Sequence, residues 1–272
     1  MNNAKSHIIL LVMYLISYAI CSYGSSLPLQ EHHFKNPKSI YSLSPKEISN
    51  ILSHKSWNTS GQSITSAETN NDSNPVPEYE KIKQGDNSAG VNAFADIHFD
   101  KNVKRILDVG GGKFDVSRDF LQTKNIDLLI WDPYNRSKEH NKEVRQAVQH
   151  LKVDAATSMA VLNVIPEPDV RLAHIAILKQ AIKTNSYAYF KVWPGEGKLK
   201  GTHQPTVNSY GYPGYQANAY VDYFLPEVQL VFGKDNVRLD PKIPNLMIAK
   251  KVSDKPTSLT EIKRILHPTQ LA

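Results

Sequence analysis

The chain has 272 residues, 40% of them hydrophobic, a net charge of +6 and a single cysteine, Cys21. This length can bury one sizeable core with a small appendage, and one cysteine excludes both a disulfide framework and a thiolate metal site. Lysines and arginines are spread along the chain rather than bunched, which fits a solvated surface or a face turned to an acidic partner.

Residues 1–24 read as a targeting segment. Lys5 gives a positive start, Ile8 to Ile20 is almost unbroken apolar sequence, and Ser22 and Gly24 offer small residues for cleavage. Such a run, at ~1.5 Å rise per residue, covers about 20 Å, short of the ~30 Å hydrocarbon core. A cleaved signal peptide and export to the periplasm or medium are therefore expected. The alternative is an uncleaved anchor with the following domain in the cytoplasm.

Ser44-Pro45-Lys46-Glu47 combines a capping serine, a proline suited to the first helical position and a glutamate that can close a capping box. Ile48, Ile51 and Leu52 supply the apolar face. Residues 58–76 are rich in Asn, Ser, Thr and Gly and read as a linker, so 25–76 is expected to be a helical and flexible N-terminal region.

From Ile106 onward apolar runs alternate with helical periodicity. Ile106 to Val109 and Leu128 to Trp131 read as strands. Val144, Ala147, Val148 and Leu151 share a helix face, and Val161 to Ile165 reads as a buried strand. Leu172, Ile175, Ala176, Leu178 and Ile182 mark another helix. Strands follow at Tyr187 to Trp193 and at Leu246 to Ala249, and Ser258-Leu259-Thr260-Glu261 opens a final helix in the segment 254–272. This order predicts an α/β fold, a doubly wound, mostly parallel sheet covered on both faces, over residues 77–253.

Asp108-Val109-Gly110-Gly111-Gly112-Lys113-Phe114 closes the first of these strands, and Asp132 closes the next, 24 positions after Asp108. Glycines let a backbone approach a ligand closely, and an acid ending the second strand can accept hydrogen bonds from ribose hydroxyls. A triphosphatase loop requires Ser or Thr after the lysine, and Phe114 stands there instead. A dinucleotide turn would have its last glycine at Asp115, where an acid at the helix start opposes a diphosphate.

The turn resembles the first motif of class I S-adenosylmethionine-dependent methyltransferases, (D/E)-x-G-x-G-x-G, at Asp108, Gly110 and Gly112. Phe114 replaces the third glycine. The resemblance extends over about residues 77–252. It implies a Rossmann-type fold, S-adenosylmethionine as cofactor, and methyl transfer to an undetermined acceptor, whether small molecule, protein or nucleic acid. It further implies that Asp108 orients the methionyl amine, that Gly110, Gly111 and Gly112 form the cofactor turn, that Asp132 holds the ribose, and that Asp154 lies near the adenine. The phrases Gly85-Asp86-Asn87-Ser88, Val161-Leu162-Asn163-Val164-Ile165 and Gln216-Ala217-Asn218 also resemble bacterial methyltransferase-like proteins associated with DNA phosphorothioation.

Asn163 is read either as a core amide or as a substrate-facing group at a strand end. Tyr210, Tyr212 and Tyr215 lie in a stretch, His203 to Phe224, that holds five of the chain's 13 tyrosines; a stacking lid over an acceptor and a self-packed loop are both open. Asp132-Pro133-Tyr134 lacks one proline of the base-gripping Asp/Asn-Pro-Pro-Tyr motif. No H-E-x-x-H or cysteine ligand set points to a metal, and no residue stands out as a general base. The alternative function is a nucleoside-binding protein of the same fold without turnover.

Overall fold

A computed structural model describes residues 40–53, 93–133, 135–165, 167–194, 202–207 and 213–267, the backbone alone for 202–207 and 213–216. Residues 36–272 form one compact unit. The targeting segment and the linker at 58–76 lie outside the described residues.

The described residues begin with a 3-10 turn, Ile40–Ser42, and helix α1, Pro45–Ser53. Both halves of the expected capping box are made: Glu47 N donates to Ser44 Oγ at 3.2 Å, and Ser44 N donates to Glu47 Oε2 at 2.7 Å. The alternating units follow as β1 (Arg105–Val109), α2 (Val116–Gln122), β2 (Asp127–Trp131), α3 (Lys138–His150), β3 (Val153–Met159), α4 (Pro168–Ala181) and β4 (Ile182–Lys191). Strands β5 (Thr202–Val207) and β6 (Pro213–Asn218) pair antiparallel as a separate two-stranded sheet. The chain closes with α5 (Leu225–Phe232), β7 (Val237–Leu239), β8 (Leu246–Lys250) and α6 (Leu259–Leu266).

The main sheet has six strands in the order β2-β1-β3-β4-β8-β7. β1 to β4 are parallel, and β8 runs against β4 and β7. This is the expected doubly wound, mostly parallel Rossmann-like sheet. Side chains alternate between its faces, as the strand period requires. Leu107, Val109, Trp131, Ala156, Ala188 and Phe190 join one core with α3, α4, α5 and α6. Ile106, Leu128, Ile130, Ala155 and Tyr189 join a second core with Leu121 of α2 and with Phe94 and Ile97.

Two expectations need correction. The strand expected at Val161 to Ile165 is β3, at Val153–Met159, and Leu162–Val164 is a 3-10 turn. The strand itself, Val-Asp-Ala-Ala-Thr-Ser-Met, has small and polar residues at its centre, so the denser apolar run beyond it gives the stronger strand signal. Ala160, at φ +58°, turns the chain out of the sheet. Second, the segments set apart at each end share the central core: Ile40 and Ile48 pack in it with Ile262, Ile265 and Leu266. Ser258 caps α6 through Glu261 N at 3.2 Å, but the Glu261 carboxylate turns to Arg264 instead of closing the box.

β2 is an edge strand, and its outward carbonyls meet helix side chains. Arg118 Nε donates to Leu128 O at 3.2 Å, His140 Nε2 to Ile130 O at 2.8 Å, and Asn141 Nδ2 to Asp132 O at 2.8 Å.

Candidate functional site

From β1 the chain crosses to β2 on one side, then from β2 over to β3 on the other. The strand order therefore reverses between β1 and β3, and sheets of this kind take ligands in the crevice outside the carboxyl ends of the strands at that point. The glycine turn stands there. Gly110 has φ +82°, and a Cβ on it would lie 2.7 Å from Val161 Cγ2. Its N–H donates to Trp131 O at 2.7 Å and extends the β1–β2 ladder by one residue. At Gly111 a Cβ would lie 2.5 Å from Asp108 Oδ2 and 2.9 Å from Ile130 Cγ2. These two positions exclude side chains by contact, whatever their backbone angles.

Asp108 is therefore directly beneath the turn. It is 3% exposed and accepts a 2.7 Å hydrogen bond from Thr157 Oγ1 of β3. Its carboxyl is pushed up to about 7, chiefly by burial and further by the neighbouring Asp132, against the lowering pull of the Thr157 hydroxyl.

Asp132, 4% exposed, follows the end of β2. Its Oδ2 accepts from Gly112 N at 2.9 Å and from Asn135 Nδ2 at 3.1 Å, and its Oδ1 accepts from Asn135 N at 2.9 Å. The Asn141 side-chain amide holds its backbone from both directions: Oδ1 accepts from Asp132 N at 3.0 Å while Nδ2 donates to Asp132 O at 2.8 Å. Asp115 stands at the N-cap position of α2 without a side-chain capping bond, and its carboxylate meets Arg136 at 2.9 Å and Arg118 at 3.4 Å instead. Its charge is thus paired, and the electrostatic bar to a phosphate rests on Asp108 and Asp132 rather than on Asp115.

The structure brings Asp108, Gly110, Gly111, Gly112 and Asp132 together at one turn. Asp154 is not among them. It lies near the start of β3, at the opposite end of the sheet, where its carboxylate accepts from the backbone of Lys104 and Arg105 at 2.8 and 2.9 Å and pairs with Lys183. Burial raises its pKa, and the Lys183 bond and these two amides outweigh that to leave it lowered. Asp154 fastens the start of β1 to β3, away from the glycine turn. Asn163 is 1% exposed on the 3-10 turn after β3, which packs against β6. Tyr210 and Tyr212 lie outside the described residues, and Tyr215 is placed on β6 by its backbone alone.

Sequence reasoning missed Thr157, Asn135, Arg136 and Asn141. Only Asn141 left a signal, a polar residue on the buried stripe that it shares with Val144 and Val148. A hydroxyl–imidazole pair, Ser158 Oγ and His174 Nε2 at 2.8 Å, joins β3 to α4, and burial lowers the imidazole to about 4. Both residues are buried, so they serve the core rather than the crevice. Among the described residues, no group of three or more His, Cys, Asp or Glu could hold a metal ion. No described helix is long and apolar enough to cross a membrane.

No family model matches the sequence, and no curated protein matches it. Distant likenesses exist among solved structures. Streptomyces venezuelae DesVI is 12% identical, with TM-score 0.40 over 62% of this chain and 93% of that one. The CcbJ methyltransferase from Streptomyces caelestis is 9% identical, with TM-score 0.38 over 70% and 96%. A S-adenosylmethionine-dependent methyltransferase from Clostridium acetobutylicum is 11% identical, with TM-score 0.34 over 58% and 92%.

Proposed function

We propose that the chain binds S-adenosylmethionine at the Gly110–Gly112 turn and transfers its methyl group to an acceptor. The observation that carries this is the Asp108 carboxyl directly beneath Gly111, with a second carboxylate, Asp132, bonded to Gly112. Two buried acids on one glycine turn suit a ligand with ribose hydroxyls and positive groups, and they oppose a polyphosphate. When bound, the cofactor supplies an electrophilic methyl group. Asp108 would face the methionyl ammonium, Asp132 the ribose, and the turn would give close backbone approach. What the chain must add is alignment of an acceptor with that methyl group, which can supply much of the acceleration without a strong base.

Calorimetry with S-adenosylmethionine, S-adenosylhomocysteine and NAD tests the reading. Binding of the first two without NAD is expected; tight NAD binding alone would move the site to the dinucleotide class. The second reading, a nucleoside-binding protein without turnover, is favoured by Phe114 in place of the third glycine. It predicts S-adenosylhomocysteine binding without labelled methyl transfer to any acceptor pool.

The proposal extends to two finer points. The kinship with proteins associated with DNA phosphorothioation is supported by the three sequence phrases alone. Export is supported by the composition of residues 1–24, and the N-terminus of the expressed product, read by mass spectrometry, should begin near residue 25. A full-length product fractionating with membranes would replace export by an anchor and set the domain beside the cytosolic cofactor pool.

A further inference from the structure

The backbone of Gly112 is held at both its N–H and its carbonyl. Its N–H goes to Asp132 Oδ2, and its carbonyl accepts from Arg136 Nε at 2.7 Å. Arg136 Nη2 then reaches Phe114 O at 2.8 Å and Asp115 Oδ1 at 2.9 Å. The arginine side chain is only 11% exposed. Its own carbonyl accepts from Asn141 Nδ2 at 3.2 Å, the same amide that clasps the backbone of Asp132. One connected set of bonds therefore joins the acid that would meet a ribose to the outer half of the glycine turn.

Phe114 gives this arrangement its point. A third glycine would leave that residue free to follow the ligand; a phenylalanine does not, and its carbonyl is pinned instead. Only a planar guanidinium presents enough donors in a fixed fork to meet two carbonyls and a carboxylate at once. A lysine would bring the charge without the geometry.

We propose that Arg136 is the positioning residue of this site, holding residues 112–115 so that Asp132 keeps its aim at the ribose hydroxyls. This rests on the reading of the turn as a nucleoside site. The Arg136 donors at Nε and Nη2 go to the turn and to Asp115, so its loss should change the selectivity that Asp132 exerts rather than the chemistry of transfer.

The experiment uses the full chain, S-adenosylhomocysteine and its 2′-deoxy analogue, with affinities from calorimetry and folding from thermal melts. The wild-type protein should prefer the ligand with the 2′-hydroxyl by about tenfold, the worth of one charge-assisted hydrogen bond. In Arg136→Lys the hydroxyl-bearing ligand should weaken about tenfold while its deoxy analogue barely changes, so the preference falls toward unity. General loss of packing would weaken both ligands alike and leave the preference standing, and that result overturns the proposal. Asp115→Ala removes one acceptor of the fork on its more exposed side, where the Asp115 side chain is 46% exposed, and should lower the preference part-way. It decides the question if the lysine variant fails to fold, and an unchanged preference there overturns the proposal as well. Should the wild-type protein bind neither ligand, the reading of the site fails and this role with it. Should wild type and both variants bind with the same preference, the role of Arg136 alone fails.

Discussion

Thr157 Oγ1 donates to Asp108 Oδ1 at 2.7 Å across the seam between β1 and β3, so the hydroxyl of one central strand steadies the buried acid of its neighbour. Thr157→Val keeps the shape and removes the side-chain hydrogen bond that lowers the Asp108 pKa. The acid should then titrate at a still higher pH. Stability should fall by about 1–3 kcal/mol, the usual consequence of leaving a buried polar partner unbonded. Urea denaturation reads the loss, and an unchanged midpoint would deny Thr157 this role.

The Asp108 carboxyl also sets a pH dependence. Its folded value, raised by burial to about 7, lies above the ordinary 3.8. The unfolded chain releases this proton first, so the group's contribution to stability is full below about pH 4 and is lost as pH rises through about 7. A cationic ligand beside Asp108 favours the carboxylate and works in the opposite sense. Affinity for S-adenosylmethionine should therefore rise between about pH 6 and 8 with release of a proton, measurable by calorimetry in buffers of different ionisation heat. Asp108→Asn should abolish the dependence.

The glycines of the turn should differ in what an alanine does. At Gly112 a Cβ meets nothing within 4 Å, so Gly112→Ala carries only the strain of φ +74°, about 1–2 kcal/mol. Gly110→Ala adds a 2.7 Å approach to Val161 Cγ2 to its own φ of +82°, and should lose clearly more stability. Pairing Gly110→Ala with Val161→Ala should recover part of the difference. Equal losses in the two single variants would mean that the Val161 contact is of no consequence.

Asp132→Ala should weaken S-adenosylmethionine about tenfold or more, since bonds to a charged acceptor contribute about 1.5–3 kcal/mol each. It also removes the acceptor of Gly112 and Asn135, so faster proteolysis near residues 112–116 should accompany the affinity loss. Unaltered affinity would end the ribose role.

Away from the crevice, Arg171 of α4 and Glu227 of α5 form a forked ion pair at 2.7 and 2.8 Å with both side chains 1% exposed. Arg171 also donates to Ile165 O at 2.7 Å, tying the loop after β3 to the helical layer. Arg171→Ala strands a buried carboxylate and should cost about 3–5 kcal/mol. The double replacement Arg171→Met with Glu227→Leu should recover most of it in the same thermal melt.

What the sequence disclosed were the features that close over a few residues. The Ser44–Glu47 capping box closes over three positions, and the Gly110–Gly112 turn is marked by consecutive glycines just after Asp108; both are present, although the turn's close contacts, to Ile130 and Val161, lie far along the chain. The place of Asp154 is not legible locally, because it depends on which end of β3 the residue occupies and on where β1 begins against it. The helix of Ile48 and its apolar face are legible, but nothing local reveals that Ile48 shares a core with Ile262, more than 200 residues on. Arg136 left no trace at all, because an arginine on a loop has the same signature whether it meets water or three acceptors.

Strand β2 has a further consequence. Leu128, Ile130 and Asp132 are the carbonyls through which an outside strand would join the sheet, and Arg118, His140 and Asn141 already fill them. An exposed edge ordinarily invites a second chain to add on; this one is sealed by its own helices. Self-assembly by edge pairing of this sheet is thus left to β7, a strand of three residues at the far margin. Crowded copies of the folded domain should resist growth into cross-β aggregates from the β2 side.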